Sequence, residues 1–250
     1  MQRYFVPASG WNDEHVIVTG DDVHHVTKVM RMKEEDHILC CNPDGHAALC
    51  EINDMTNHQV TCTILEWLED NSELPACITI AQGLPKGDKM ELVVQKGTEL
   101  GACKFIPFEA ERSIVKWDEK KSQKKLARYQ KIAKEASEQA HRNRIPVVEQ
   151  VHQLSALIEK SKQYDWKLFA YEDEARTTSF QSLKDIVPEI QSSEHVMIVI
   201  GPEGGFSEHE VEQLRAAQFT SVRLGPRILR TETASSYILA AISYQLEELR

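Results

Sequence analysis

No stretch of this sequence approaches the ~18 consecutive apolar residues that a membrane-spanning helix requires. The first ten residues, MQRYFVPASG, place Arg3 without an apolar run behind it, so the N-terminus reads as neither a signal peptide nor a transit peptide. There is no C-x-x-C pair, H-x-x-x-H or H-E-x-x-H, which argues against a metal site. There is also no G-x-G-x-x-G and no G-x-x-x-x-G-K-[ST], so Rossmann and P-loop nucleotide sites lack their fingerprints. The six cysteines, at 40, 41, 50, 62, 77 and 103, then read as small buried hydrophobes in a reducing compartment. The expected location is the cytoplasm, with no membrane partner.

What is present is ordinary for a globular chain. Hydrophobic residues make up 41% and charged residues 27% of the 250, a length that favours two domains. The net charge of -10 hides an uneven distribution. Between Arg112 and Arg144 eleven Lys and Arg stand against four Asp and Glu, a local balance of +7 that leaves -17 for the rest. Such a run is a solvated helix face or a track for an anionic polymer.

Up to about residue 70, short apolar pieces alternate with turn residues such as Asn42-Pro43-Asp44-Gly45 and Asn53-Asp54, a hairpin-rich pattern. One short helix interrupts it at 21–32, capped by Asp21 or Asp22, with Val23, Val26 and Val29 or Met30 on one face. The polar stretch EDNSELPA at 69–76 ends this unit, which gives domains 1–72 and 73–250. Beyond it, strands at 77–82, 104–108, 145–150, 167–171, 196–200 and 221–225 alternate with helices near 88–100, 118–142, 153–162, 179–186, 207–217 and 232–249. Apolar strands alternating with helices predict an α/β fold with a parallel sheet covered on both faces. Asp88 with Glu91, and Ser207 with Glu210, are capping-box pairs, and Phe206 with Val211 is a hydrophobic staple.

The buried strand at 196–200 ends in Gly-Pro-Glu-Gly-Gly, and the next ends in Leu224-Gly225-Pro226. Ligands of parallel sheets sit beyond such strand ends. Leu224, Ile228 and Leu229, with backbone amides around Gly201, Gly204 and Gly225, suit an adenine-bearing ligand, and the two Gly-Pro turns are expected beside one another. Arg227 and Arg230 could meet phosphates, with the Glu203 and Glu232 carboxylates close by. A non-catalytic RNA-binding factor and a nucleotide-dependent oxidoreductase are the competing readings.

IGPEGGFSEHE and LGPRILRTETA before a C-terminal helix resemble the SPOUT class of methyltransferases. With HHVTKVMRMKEED, LPKGDKMELVVQKGTELG and KEASEQAHRNRIP, the whole chain is similar to the RsmE family. That resemblance implies S-adenosylmethionine-dependent methylation of uracil N3 in 16S ribosomal RNA, at the uridine at position 1498, on assembled small ribosomal subunits. It implies a PUA-like N-terminal RNA-binding domain and a C-terminal SPOUT domain with a trefoil knot, acting as a homodimer. It places the methyl donor against Leu168, Phe169, Ala170, Gly201, Pro202, Glu203, Gly204, Leu224, Gly225, Ile228 and Leu229. For N3 methylation the candidates are Arg230, to stabilise the uracil anion, and Glu232, to remove the proton or orient the base. RNA contacts are expected from Arg3, His25, Lys28, Arg31, Lys120, Lys121, Lys124, Lys125, Arg142 and Arg144, and from Lys86 and Lys89. The alternative within the class is 2′-O-ribose methylation.

Overall fold

The structure is a computed structural model of the full chain, and it describes residues 1–69, 71–115, 117–171 and 181–249. By internal contacts the chain falls into two units, Met1–Glu73 with Ser137–Ile145, and Leu74–Ala136 with Pro146–Arg250.

The first unit carries β1 (Arg3–Phe5), β2 (His15–Thr19), α1 (Asp21–His24), β3 (His37–Cys41), β4 (Ala47–Met55) and β5 (Gln59–Leu68). They form one sheet in the order β1-β3-β4-β5-β2, with β1 and β3 parallel and the other pairs antiparallel. Alternating burial along β2 and β5 sends Val16, Val18, Val60 and Cys62 into a core with Tyr4, Ile38, Cys50 and Ile52. Asn53 and Asp54, read as a turn, lie inside β4 at a register shift, and the reversal comes at residues 56–58. Gly20 rather than an aspartate occupies the N-cap of α1, which runs on as a π-helical turn, His25–Val29. Val23 and Val26 are buried there, whereas Val29 and Met30 are exposed.

The segment 137–145 is bound into this unit by one carboxylate. Glu73 accepts from the Arg142 guanidinium, from the Asn143 amide at 3.0 Å and from the Arg144 amide at 3.1 Å. Arg3 donates to the Arg142 carbonyl at 3.0 Å and to the Asn143 side chain. Arg3 and Arg142, expected at an RNA surface, are therefore interior groups with their donors turned inward. A charge so deep keeps its place only when paired and hydrogen-bonded.

The second unit alternates strand and helix: β6 (Cys77–Gly83), α2 (Lys89–Glu99), β7 (Lys104–Glu109), α3 (Glu119–Gln139, its last turn belonging to the first unit), β8 (Val147–Val148), β9 (His152–Gln153), α4 (Leu154–Lys160), β10 (Trp166–Ala170), β11 (Gln181–Ser182), α5 (Leu183–Ile186), β12 (His195–Ile200), α6 (Glu208–Ala216), β13 (Thr220–Arg223) and α7 (Thr231–Ser243). Residues 179 and 180 of the helix expected at 179–186 lie outside the described residues, and its remainder is β11 followed by α5. The sheet order is β11-β13-β10-β12-β6-β7-β8, with β9 also on β7, and every described pair is parallel. Strands β6, β10 and β12 are apolar almost throughout because helices cover both faces.

Two features differ from expectation. Cys77 and Cys103 form a disulfide with Cα atoms 5.6 Å apart, joining the start of β6 to the residue before β7. A separation of 26 residues gives no hint that two neighbouring strands begin side by side. The other four cysteines are buried and free, and burial pushes the Cys62 thiol up to about 12 and the Cys41 thiol up to about 11, as suits inert side chains. At α2 the Asp88 side chain makes no capping bond, and Glu91 instead pairs with Arg128 at 2.7 Å.

Replacing Glu73 with alanine removes the carboxylate paired with the buried Arg142 guanidinium, which is expected to cost about 3–5 kcal/mol in urea unfolding. A loss under about 1 kcal/mol would show that the segment 137–145 is held by other contacts.

Candidate functional site

The site lies where β12, β10 and β13 end. Gly83, the last residue of β6, lets the loop after β12 pack directly on it, since a Cβ there would stand 2.7 Å from Pro202 Cδ and 2.8 Å from Pro202 N. The buried Gln82 amide donates to the Thr231 hydroxyl at 2.8 Å, and that hydroxyl donates to the Gly201 carbonyl at 2.7 Å. The start of α7 is thereby tied to the loop at 201–205.

The far end of the loop is set by the capping box. Ser207 Oγ accepts the Glu210 amide at 3.1 Å, and Glu210 Oε2 accepts the Ser207 amide at 2.8 Å. Glu210 Oε1 accepts the Glu111 amide at 2.9 Å, so one buried carboxylate anchors both the helix and a neighbouring loop. From that second loop Arg112 donates to the Gly204 carbonyl at 3.2 Å. Phe206 and Val211 are both buried, and Phe206 meets Phe169 edge-on with ring centres 5.9 Å apart. The staple read from the sequence is thus part of a larger aromatic contact.

Between these parts lies a cleft of about 370 Å³. Of the residues expected at a ligand, Ala170, Gly201, Pro202, Glu203, Leu224, Gly225, Ile228 and Leu229 line it. Leu168 and Phe169 do not: both are fully buried, and only the final residue of β10 reaches the mouth. Gly204 faces Arg112 instead. The strands that end in the two Gly-Pro turns are not neighbours, because β10 runs between β12 and β13, although both turns line the cleft. Gly225 has φ +80°, a left-handed conformation that favours glycine, and the Arg223 guanidinium donates to its carbonyl at 2.9 Å.

Three charges converge at one side. Lys89, the first residue of α2, stands 2.8 Å from Glu203 and 3.6 Å from Glu232. Its bond to Glu203 raises the Lys89 ammonium above the usual lysine range. Burial pushes the Glu203 carboxyl upward, but the Lys89 ammonium and the Lys86 amide, at 3.1 Å, outweigh it and leave the group below its ordinary value. Glu232 sits in the first turn of α7, and its Oε2 is buried without a hydrogen-bond donor. Arg230 lines the cleft with an exposed side chain, while its carbonyl accepts the Thr233 and Ala234 amides at 2.9 Å. Lys89, expected to face RNA, therefore belongs to the cleft, as do Arg112, Tyr171 and Thr231, which no local pattern marked.

The basic residues divide. Lys28, Arg31, Lys86, Lys120, Lys121 and Lys124 are exposed. Lys125 lies over the Trp117 ring at 5.1 Å, His25 Nδ1 is 3.0 Å from the Tyr4 hydroxyl, and Arg144 donates to the Asp44 carbonyl at 2.6 Å. Among the described residues no group of three or more His, Cys, Asp or Glu is placed to hold a metal ion. No described helix is long and apolar enough to cross a membrane.

Residues 72–243 match the RNA methyltransferase domain family, and residues 18–65 match the RNA methyltransferase PUA domain. The chain is 47% identical to the ribosomal RNA small subunit methyltransferase E of Bacillus subtilis, over 100% of this chain and 99% of that one. The ribosomal RNA small subunit methyltransferase E of Neisseria gonorrhoeae, solved bound to S-adenosyl methionine, superposes with a TM-score of 0.86 at 31% identity, covering 97% of each chain. A putative methyltransferase of Legionella pneumophila, also solved with that cofactor, gives 0.83 at 32%, covering 96% of each. With both parts of the chain matched, and a relative of nearly half identity aligned from end to end, this protein belongs to the ribosomal RNA small subunit methyltransferase E family, RsmE.

Proposed function

We propose that this protein transfers a methyl group from S-adenosylmethionine to N3 of one uridine, at position 1498 of 16S ribosomal RNA in the assembled small subunit. The observation that carries the reading is a strand-end cleft in an RNA methyltransferase domain, lined by the glycine turns after β12 and β13 and by the exposed Arg230 at the start of α7. The residues fit the donor. The cleft volume is within the range of small-molecule sites, Leu224, Ile228 and Leu229 offer an apolar wall for an adenine, and the backbone at Gly201 and Gly225 is open to it. Domains 1–72 for RNA and 73–250 for chemistry, the homodimer, the trefoil knot and a cytoplasmic location belong to the same proposal.

When bound, S-adenosylmethionine supplies an electrophilic methyl group on a sulfonium sulfur. The rims of the cleft hold the two reactants in line, which can contribute roughly 7–11 kcal/mol. Uracil N3 carries a proton and is a weak nucleophile until it is lost. Glu232 removes that proton or orients the base, and Arg230 faces the negative charge that spreads over the uracil carbonyls. N3 lies on the pairing edge, so the nucleotide must leave its stack to reach the cleft. The exposed lysines of α3 hold the RNA by its phosphates and fix position without reading sequence.

Labelled S-adenosylmethionine incubated with small subunits from cells lacking the protein is expected to yield 3-methyluridine on nucleoside analysis. A 2′-O-methylated nucleoside, or no label, would overturn the assignment. Arg230→Ala and Glu232→Gln are each expected to lower turnover about 10²-fold with donor affinity little changed in calorimetry. Converting Lys120, Lys121 and Lys124 to glutamine is expected to flatten the logarithmic salt dependence of RNA binding by about 2. An unchanged slope would make that face a solvated surface only.

A further inference from the structure

We propose that Cys77 and Cys103 form a reversible redox site, a dithiol that closes to a disulfide on meeting a low-molecular-weight disulfide and reopens with a thiol. The site stands apart from the cleft and does not depend on the methyl-transfer reading. Its action is to tether or release the segment that carries Gln82 and Lys89.

In the structure the two sulfurs are bonded, with Cα atoms 5.6 Å apart. A disulfide spans that separation without moving the backbone. Backbone hydrogen bonds hold the separation in either redox state. The Cys77 amide donates to the Glu194 carbonyl at 2.9 Å, and the Cys103 amide donates to the Ile78 carbonyl at 2.9 Å. One residue further on, Lys104 is in register with Thr79 as β6 and β7 pair. The two thiols of the reduced protein are therefore neighbours before any bond forms, and closure is an intramolecular step.

Access separates this pair from the other cysteines. Cys77 and Cys103 are half-buried where β6 and β7 begin, at the end of the sheet away from the cleft. Cys40, Cys41, Cys50 and Cys62 are fully buried in the first unit. Burial pushes the Cys41 and Cys62 thiols up, to about 11 and about 12, so few thiolates form there. A hydrogen bond from Cys40 lowers the Cys50 thiol, but both side chains are closed off from any small disulfide. In a reducing compartment a disulfide is ordinarily transient, catalytic or redox-sensing, which suits an accessible pair and not the enclosed four.

Closure takes two exchanges. One cysteine thiolate attacks a sulfur of the small disulfide, forming a mixed disulfide and releasing one small thiolate. The second cysteine thiolate attacks the protein sulfur of that mixed disulfide; the bond between Cys77 and Cys103 forms and the second small thiolate leaves. The protein gives up two electrons, the small disulfide is reduced to two thiols, and the two cysteine protons pass to them.

The bond closes a loop that holds β6 and α2. Within it the Gln82 amide donates to the Thr231 hydroxyl at 2.8 Å, and Lys89 stands 2.8 Å from Glu203. Both contacts hold the loop at 201–205 from outside. Closing the bond restricts the unfolded chain, so it raises resistance to opening and leaves the folded cleft as it is.

The test uses the full-length protein. It is reduced with dithiothreitol, freed of reductant under nitrogen and treated while folded with glutathione disulfide. Thiols titrated in denaturant are expected to fall from six to four, with peptide mapping joining Cys77 to Cys103 and dithiothreitol restoring all six. The oxidised form is expected to melt about 5 °C or more above the reduced form. The double variant Cys77→Ser with Cys103→Ser is expected to show no such difference. Six remaining thiols, glutathione held on one cysteine without closure, or a link between Cys40 and Cys50 would overturn the proposal, as would equal melting temperatures for the two forms. Should the double variant not fold, the thiol count, the mapping and the melting of the wild-type protein decide.

Discussion

The Gly201 carbonyl, held by the Thr231 hydroxyl and within reach of the Gln82 amide, is the fixed point of the catalytic unit. It ends β12 where the polypeptide must leave the sheet, and a carbonyl buried there needs a donor. Thr231 supplies it from the first residue of α7, and Gln82 supports Thr231 from the end of β6. Three elements far apart in sequence therefore meet at one oxygen. Thr231 and Ala234, which line the cleft from α7, and the backbone that carries Arg230 take their place from that bond.

Legibility followed the range of the signal. The capping box at Ser207 and Glu210 is local, and it forms with both of its bonds. The parallel sheet was legible for the same reason, since apolar strands and intervening helices announce themselves within ten residues. Adjacency was not. The strands that end in the two Gly-Pro turns are successive in the chain, yet β10 runs between them, and strand order depends on contacts that no local pattern carries. The pairing of Cys77 with Cys103 was hidden likewise.

Charge was the least transparent property. The basic run from 112 to 144 reads as one surface, but the structure divides it among unlike roles. Lys120, Lys121 and Lys124 meet solvent, Lys125 covers an aromatic ring, Arg128 pairs with Glu91, and Arg142 is buried on Glu73. Lys89 stands outside the run and belongs to the cleft. A cation's partner is decided by desolvation and by which carboxylate the fold brings near, neither of which follows from composition. Leu168 and Phe169 stand off the cleft for a simpler reason: a strand buried on both faces offers only its last residue to the end of the sheet.

The first unit is discontinuous along the chain, closing only with residues 137–145. During synthesis its strands emerge first, yet Arg3 must wait through 139 further residues for the carbonyl that receives it. An N-terminal domain ordinarily completes itself before the next one follows. Here the ribosome must translate well into the second unit before the first can close, so the early product is a sheet whose edge guanidinium still lacks the Arg142 carbonyl and the Asn143 side chain. The two folding events are joined by covalent order, and a truncation between them removes part of the unit that comes before it.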